Sequence, residues 1–371
     1  MRSPLTIITI VLLTACSLDQ SVSARGPFVA TEIASFKQPW ALSFLPDGRL
    51  LVTEKKGSLY IVNQDGTRSN PLPGVPDVDY GGQGGLGDVV LHPDYASNGL
   101  IYISYVEAGE GNVRGAAVAR GELIVNNDGG ANLENVDVVW RQYPKVSGNG
   151  HYGHRIAFSE DGYLFISSGE RQKFDPSQDM TQNLGKIVRL HDDGSVPVDN
   201  PFYDQGGVTA QIWSLGHRNP LGIAFDEQGR LWNVEMGPRG GDELNLVIRG
   251  ANYGYPIVSN GSHYNGKEIP DHQTRSEFEE PKAWWSPVIS PGDLMFYSGD
   301  MFPLWKGDAL IAGLSAGAFL RITIDGESAA EAERFEMNKR IRAVRQGPNG
   351  AIWLLEDGFG GRLLKLTPER S

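Results

Sequence analysis

Segment 148–155 carries the densest group of residues that could do chemistry. It sets His151 and His154 among three glycines, directly before a predicted strand. Glycines let a backbone approach a ligand closely, and a histidine on such a loop can act as a general base near neutral pH. Two histidines three residues apart could instead bind a transition metal, and a histidine that only completes a turn is a third interpretation. We therefore treat His151 as a candidate base and keep the alternatives open.

Two arginine-containing segments could bind an anion. Arg218 offers a rigid fork of donors for a carboxylate, and Asn219 beside it offers a donor and an acceptor. An Arg-Asn-Pro turn on its own is commonly structural. Farther along, Arg340 and Arg342 alternate on a predicted strand, so they share one face. Two convergent guanidinium groups suit a ligand with several carboxylates, and a solvated basic strand edge is the alternative.

A third polar loop has the composition of a calcium site. Residues 235–243 include Gly237 and Pro238 and end in the carboxylates of Asp242 and Glu243, and residues 252–254 follow. Exposed backbone carbonyls and carboxylate oxygens are the ligands that Ca²⁺ prefers. The spacing matches no EF-hand, so the residues predict calcium by ligand type alone.

These loops sit on a repeated pair of strands. Each copy has an apolar strand, a turn with glycine, and a second strand rich in β-branched and aromatic residues. The copies are 43 to 78 residues apart and centre on Gly48, Gly99, Gly162, Gly229, Gly307 and Gly350. Six copies predict an all-β fold, a six-bladed β-propeller with inserted loops on the active-site face, over residues 27–371. A β-sandwich is the alternative, but it explains neither the number of copies nor the uneven insertions.

The N-terminal residues have the pattern of a lipoprotein signal. Arg2 gives a positive charge, and the apolar run over residues 5–15 is too short to span a bilayer. The run ends in Leu-Thr-Ala-Cys, so residues 1–15 are expected to be removed and Cys16 to carry the lipid. Residues 16–26 would form a tether, and Ser17 favours the periplasmic face of the outer membrane of a Gram-negative cell. An ordinary signal peptide with a chance cysteine is the alternative.

Charge and cysteine content exclude other classes of function. The formal net charge is −12, and it becomes −13 when residues 1–15, with their one positive charge, are removed. General electrostatics would therefore not hold a phosphate backbone, and nucleic acid is not expected as a partner. Cys16 is the only cysteine, so neither a disulfide nor a catalytic thiol is available.

Taken together, the segments resemble the soluble glucose and aldose sugar dehydrogenases that depend on pyrroloquinoline quinone (PQQ). The resemblance runs from about residue 39 to residue 365 in the order of that family. It is carried by residues 81–86, 91–94, 185–202, 215–220 and 237–253. One such segment is weak support, but five in order are specific.

The resemblance implies roles for individual residues. His151 corresponds to the catalytic base of the family. PQQ would be held by Gln83, Arg218, Asn219, Tyr264, Arg340 and Arg342. Calcium would be bound at positions corresponding to Gly237, Pro238, Glu243 and Tyr253. The implied reaction oxidises an aldose at C1 to a lactone by hydride transfer to PQQ, with Ca²⁺ polarising the accepting carbonyl. An external quinone, cytochrome or dye would then accept the electrons.

Three departures from the family pattern favour its broader aldose branch. Gly150 stands where some relatives have an acidic partner for the base, and His154 stands where a small glycine is expected. Ser315 falls where the glucose enzymes have a lysine that contacts the cofactor. Two functions of other classes stay open. A calcium-dependent lactone hydrolase would not need the two arginines at 340 and 342, and a non-catalytic propeller scaffold would not need a base.

Overall fold

The computed structural model describes residues 21–22, 26–126 and 130–369, and these residues form mainly antiparallel strands. The strands are β1 (Ser21–Val22), β2 (Phe28–Lys37), β3 (Pro39–Phe44), β4 (Leu50–Glu54), β5 (Ser58–Val62), β6 (Leu86–Leu91), β7 (Leu100–Ala108), β8 (Arg114–Val125), β9 (Ala131–Arg141), β10 (Gly153–Phe158), β11 (Leu164–Ser168), β12 (Lys186–Leu190), β13 (Ile212–Leu215), β14 (Pro220–Phe225), β15 (Leu231–Glu235), β16 (Arg239–Gly240), β17 (Asp242–Leu246), β18 (Gly261–Ser262), β19 (Ala283–Trp285), β20 (Pro291–Phe296), β21 (Ala309–Gly313), β22 (Ala318–Asp325), β23 (Ser328–Glu336), β24 (Ile341–Gln346), β25 (Ile352–Glu356) and β26 (Phe359–Pro368). The helical elements are α1 (Tyr95–Asn98) and the 3₁₀ turns Asp175–Ser177, Tyr203–Gln205, Thr209–Gln211, His272–Thr274 and Pro303–Trp305.

The described strands make six larger sheets, which we call blades one to six, and one two-stranded sheet of β16 and β18. Blade one is β3-β4-β5, blade two β6 to β9, blade three β10 to β13, blade four β14-β15-β17-β19, and blade five β20 to β23. Blade six is β24-β25-β26 followed by β2 and β1. The first strands of neighbouring blades contact each other in a closed ring, and the β2–β26 pairing joins the two ends of the chain. The predicted six-bladed propeller is confirmed.

The repeated turns lie where the sequence placed them. Each of the six repeat glycines lies in the connection between the first and second strands of a blade, with φ between 67° and 86°. Antiparallel pairing puts these six connections at one end of the propeller. The loops that enter the first strand and leave the second strand are therefore at the opposite end, and the candidate functional loops are among them.

Buried ion pairs join the first strands of four blades along the axis. Arg155 of β10 donates to Asp88 of β6 at 3.1 Å and to the Gly292 carbonyl oxygen of β20 at 2.5 Å. Arg345 of β24 pairs with Asp293 of β20. All but Arg345 are almost fully buried. Loss of one partner would strand a buried charge, so this network fixes the blades relative to one another beneath the candidate site.

The predicted lipid-attachment residue Cys16 lies outside the described residues, as do 1–20 in full. Of the segment predicted as a tether, Ser21–Val22 pairs with β2. In the part of the chain that the structure describes, no helix has the length and apolar character needed to cross a membrane.

Candidate active site

Three adjoining cavities open at the end of the propeller opposite the repeat turns. The cation pocket, of about 230 Å³, is lined mainly by Gln38, Trp40, Lys55, Gln83, His154, Met236, Arg340, Arg342 and Asp357. The central cleft, of about 650 Å³, is lined mainly by Gln83, His151, Arg218, Met236, Gly237, Pro238 and Tyr264. The aromatic pocket, of about 300 Å³, is lined mainly by His151, Glu170, Gln172, Phe174, Arg218, Tyr255, His263 and Tyr264. Shared residues make the three cavities one continuous site.

His151 lies at the junction of the central cleft and the aromatic pocket. Its backbone has φ 51°, and its N–H donates to Gln83 Oε1 at 2.7 Å, which fixes the loop before β10. Its Nδ1 is hydrogen-bonded to Glu170 Oε1. An ionised carboxylate only accepts hydrogen bonds, so Nδ1 carries the proton and Nε2 keeps its lone pair. This tautomer is the one that a general base requires.

Electrostatics keep this pair in the neutral-histidine, ionised-carboxylate form. Burial lowers the pKa of His151, and the nearby Arg218 lowers it further, although Glu170 opposes both. Burial alone would raise the pKa of Glu170, but its interaction with His151 and the hydrogen bond from the Phe174 N–H outweigh burial and lower it. His151 is therefore unprotonated and able to accept a proton at neutral pH.

Glu170 is a residue of the candidate site that the sequence analysis missed. Position 150, where some relatives have an acidic partner for the base, is glycine in this chain, and the carboxylate comes from 19 residues beyond His151. Gly150 is covered instead by Gln172, since a Cβ at position 150 would lie 2.6 Å from the Gln172 carboxamide carbon. Arg171, Gln172 and Phe174 have φ of 62°, 59° and 65°. Such strained conformations gather at functional sites, and here they present Gln172 and Phe174 to the aromatic pocket.

Arg218 forms the wall between the central cleft and the aromatic pocket. Its Nη1 donates to the carbonyl oxygens of Met236 at 2.9 Å and Gly237 at 2.6 Å, and its Nη2 donates to Tyr264 Oη at 3.3 Å. Its buried Nε has no hydrogen-bond partner in the described residues. Tyr264 is 73% exposed and lies over the cleft. Asn219 lies behind the wall, fully buried, and its Oδ1 accepts from the Gly153 N–H at 3.2 Å.

The cation pocket brings Arg340 and Arg342 together on one carboxylate. Arg340 Nε donates to Asp357 Oδ2 at 2.9 Å, and Arg342 Nε and Nη2 donate to Asp357 Oδ1 at 2.9 and 2.8 Å. The two arginines therefore converge as predicted, although β24 begins at Ile341, so Arg340 lies just before the strand and alternation along a strand is not the reason. Lys55, which the sequence analysis did not single out, lines the same pocket.

His154 belongs to the wall of the cation pocket. Its ring stacks on Trp40 at 4.8 Å between centroids, and its Nδ1 lies 2.7 Å from Ser104 Oγ. Burial lowers the pKa of His154 to about 3. His151 and His154 thus have different partners and line different cavities. In the described ranges, no three His, Cys, Asp or Glu side chains are arranged to hold a metal ion.

The predicted calcium loop is held by its own hydrogen bonds. Asp242 Oδ1 accepts from the Gly237 N–H at 2.8 Å, and Asp242 Oδ2 accepts from the Ser290 N–H at 2.6 Å. Burial raises the pKa of Asp242 to about 6. Pro238 lines the central cleft, while the Gly237 carbonyl oxygen already accepts from Arg218. The loop therefore places backbone carbonyl groups at the cleft, with one of them occupied by a guanidinium.

Glu243 lies in a buried polar patch where some side-chain oxygen atoms have no hydrogen-bond donor. It is paired in register with Glu235 across β15 and β17. Burial raises the pKa of Glu243 well above its ordinary value, and the Glu235 carboxylate raises it further. Among the described residues, Asn233 Oδ1 and Asn245 Oδ1 are buried without donors. The Tyr253 carbonyl oxygen accepts from His272 Nε2 at 3.1 Å. Oxygen acceptors that lack donors have the chemistry of a hard-cation site.

Comparisons with known proteins place the chain in a family. The glucose/sorbosone dehydrogenase family model matches residues 36–365. The aldose sugar dehydrogenase YliI of Escherichia coli is 40% identical over 359 residues, which cover 95% of this chain and 96% of that protein. The apo crystal structure of the soluble aldose sugar dehydrogenase from Escherichia coli has a TM-score of 0.87 and 39% identity, covering 92% of this chain and 99% of that one. The PQQ-bound aldose sugar dehydrogenase of Streptomyces coelicolor has a TM-score of 0.75 and 30% identity, covering 91% and 96%. The chain therefore belongs to the glucose/sorbosone dehydrogenase family and is an enzyme of the sugar dehydrogenase class.

Proposed function

We propose that this protein oxidises aldose sugars at C1 to the corresponding lactones, with PQQ as the bound oxidant. The observation that carries the proposal is the His151–Glu170 pair, which leaves the His151 Nε2 lone pair unprotonated where the central cleft meets the aromatic pocket. The PQQ-bound relative at 30% identity supports the choice of cofactor.

The cationic side chains fit a cofactor with three carboxylates. Arg340 and Arg342 lie in the cation pocket, Gln83 lies where that pocket meets the central cleft, and the unpartnered Nε of Arg218 lies in the cleft wall. These residues and Tyr264 would hold PQQ, and Asn219 would support the His151 loop from behind. When bound, PQQ supplies a two-electron acceptor for the hydride on the sugar C1.

The residues of this chain would accept the proton and bind the sugar. His151 Nε2 would accept the proton of the anomeric hydroxyl as C1 loses its hydride, so that the C–O single bond becomes the lactone carbonyl. Glu170 would hold Nδ1–H throughout and stabilise the imidazolium that forms. The rings of Phe174, Tyr255 and Tyr264 offer apolar faces to the C–H groups of the sugar.

We include calcium in the proposal because oxygen acceptors are present in surplus. Glu243, with the Tyr253 carbonyl, would hold a cation in the buried polar patch, and the Gly237 and Pro238 carbonyls would face one in the cleft. A chelator should then lower the melting temperature, because an ion that binds only the folded state stabilises it. An unchanged melting temperature, with no metal detected in the purified protein, would contradict the calcium assignment.

Lipid attachment at Cys16 and location on the periplasmic face of the outer membrane are further parts of the proposal. They rest on the Leu-Thr-Ala-Cys pattern and on the absence of any other cysteine. In a Gram-negative host, the wild-type protein should fractionate with outer membranes, and Cys16→Ala should release or mislocalise it. A soluble wild-type protein with an unmodified N-terminus would refute this part.

The activity is tested with purified protein, PQQ, Ca²⁺, a dye acceptor and a panel of aldoses. We expect dye reduction that depends on both PQQ and the aldose, with lactone as the product. Lactone hydrolysis without PQQ would favour a lactone hydrolase. Absence of both reactions, with no spectral change on addition of PQQ, would favour a non-catalytic scaffold. The natural acceptor would be identified by replacing the dye with a quinone or a cytochrome.

A further inference from the structure

Lys55 follows β4 of blade one and lines the cation pocket. Its Nζ donates to the Gly82 carbonyl oxygen at 2.7 Å. An ammonium group has three donors, and within the described residues this is its one hydrogen bond. The Lys55 backbone is fixed on both sides, through its N–H to the Gln38 carbonyl at 3.0 Å and through its carbonyl to the Leu86 N–H at 2.9 Å. The pocket wall therefore holds a cation with donors to spare.

The charges in this pocket are unbalanced. Lys55, Arg340 and Arg342 are three cations, and Asp357 is the one anion among the residues that line the pocket, which gives a formal charge of +2. The whole chain, in contrast, carries −12. Burial lowers the pKa of Lys55, and the charge of Arg342 lowers it further, although Asp357 opposes both. Holding these cations close together is electrostatically unfavourable, and the rest of the protein is acidic. A ligand with several negative charges would explain why the pocket keeps them.

The position expected to supply a lysine does not reach this pocket. Ser315 is exposed, and its hydroxyl donates to the Val288 carbonyl at 3.2 Å and accepts from the Ser290 hydroxyl at 2.8 Å. Its neighbour Leu314 lines the cation pocket instead. Blade five therefore gives the pocket an apolar side chain, while blade one gives it an ammonium group.

We propose that Lys55 is a cofactor-binding residue and the third such cation in the cation pocket, where it donates to a carboxylate of PQQ beside Arg340 and Arg342. This inference rests on the proposed function. It assigns to blade one the charge that position 315 of blade five lacks in this chain.

Lys56 provides a matched control. Its Nζ lies 5.6 Å from the centroid of the Tyr80 ring, and Lys55 Nζ lies 5.7 Å from the same centroid. Lys56 is exposed and does not line the cation pocket. The substitutions Lys55→Met and Lys56→Met therefore remove the same charge from adjacent positions, but only the first removes a donor from the pocket.

The experiment titrates PQQ into purified full-length protein with Ca²⁺ and follows the dissociation constant by absorbance at two salt concentrations. Lys55→Met should weaken binding by about 10- to 100-fold, the effect of one charge-assisted hydrogen bond, and should reduce the salt dependence. Lys56→Met should stay within about twofold and Lys55→Arg within about threefold of the wild type. Lys55→Gln, which can still donate to the Gly82 carbonyl, should also weaken binding and replaces Lys55→Met if that variant does not fold.

Three outcomes of this titration would contradict a proposal. Unchanged PQQ affinity in Lys55→Met or Lys55→Gln would overturn the assignment of Lys55 and leave the proposed function standing. Equal losses in the Lys55→Met and Lys56→Met variants would show a general charge effect and would also overturn it. A wild-type protein that does not bind PQQ would overturn the proposed function itself.

Discussion

Replacing Glu170 by glutamine should disable the base without removing it. Glu170 Oε2 accepts from the backbone N–H groups of Lys173 and Phe174, and Oε1 accepts from His151 Nδ1. A glutamine at this position would keep its oxygen toward the two backbone donors, so its NH₂ group would face Nδ1. The imidazole would then have to carry its proton on Nε2, which removes the lone pair from the cleft.

The size of the effect follows from the chemistry that is lost. The variant would lose the reactive tautomer and also the carboxylate that stabilises the imidazolium. A positioned base contributes about 10²- to 10⁴-fold in rate, or about 3–5 kcal/mol of barrier. Glu170→Gln should therefore lower the saturated turnover to a similar extent as His151→Ala. Because the two residues act as one unit, the double variant should be little worse than His151→Ala alone.

Dye-coupled turnover at saturating PQQ and aldose measures this effect, and a PQQ titration of each variant checks that the cofactor still binds. Glu107→Gln is the matched control, because Glu107 lies near the end of the equivalent strand in blade two and binds Arg141 and Lys145 away from the cleft. Either of two results would refute this prediction. One is turnover of Glu170→Gln within about threefold of the wild type. The other is a double variant whose loss of turnover combines the full losses of Glu170→Gln and His151→Ala.

Three further outcomes are expected. The pH–rate profile should be level near neutrality and fall only with acid below pH 6.5, because burial lowers the pKa of His151; a fall that begins above pH 6.5 would contradict this. In PQQ titrations, Arg342→Ala should raise the required cofactor concentration more than Arg340→Ala, since its side chain is 12% exposed against 53%; equal effects would contradict this. His154→Gly should lower stability in urea by about 1–3 kcal/mol, because it leaves a gap beside Trp40, but should change turnover only modestly; unchanged stability would contradict this.

The propeller could be predicted because its repeated turns have a local sequence pattern. The pairing of strands that are far apart in the chain could not be predicted from such patterns. Each repeat turn needs a positive φ that glycine adopts freely, so all six could be found by inspection. Closure of the ring depends on β2 pairing with β26, more than 300 residues away, and short-range patterns do not report it. Blade one also has three strands in place of four. Its open edge is paired by an irregular segment, in which the N–H groups of Ser69 and Leu72 donate to β5.

The candidate residues meet because most of their loops have the same place in the repeat. His151 and Arg218 each lie two residues before the first strand of a blade, so the topology alone brings them to one end of the propeller. The orientation of an individual side chain could not be predicted from the sequence. Asn219, next to Arg218, points behind the cleft because its amide supports the Gly153 N–H.

Glu170, the carboxylate partner of the proposed base, did leave a signal in the repeat. The sixth residue after the turn glycine is glutamate in three blades, at Glu54, Glu235 and Glu356. In blade three that position is Ser168, and the glutamate comes two residues later, at Glu170. A displacement of two residues keeps a side chain on the same face of a strand but carries it beyond the strand end.

The displaced glutamate contacts a side chain, whereas the corresponding glutamates of blades one and four contact a backbone N–H group. In blade one, Glu54 accepts from the Lys37 N–H at 2.6 Å, and in blade four Glu235 accepts from the Arg218 N–H, also at 2.6 Å. Lys37, Arg218 and His151 hold the same place, two residues before the first strand of their blades. In blade three, the carboxylate beyond the strand end meets the side chain of that residue in place of its backbone. The repeat thus supplies the position of His151, the proposed base, and the two-residue displacement brings the Glu170 carboxylate to its Nδ1.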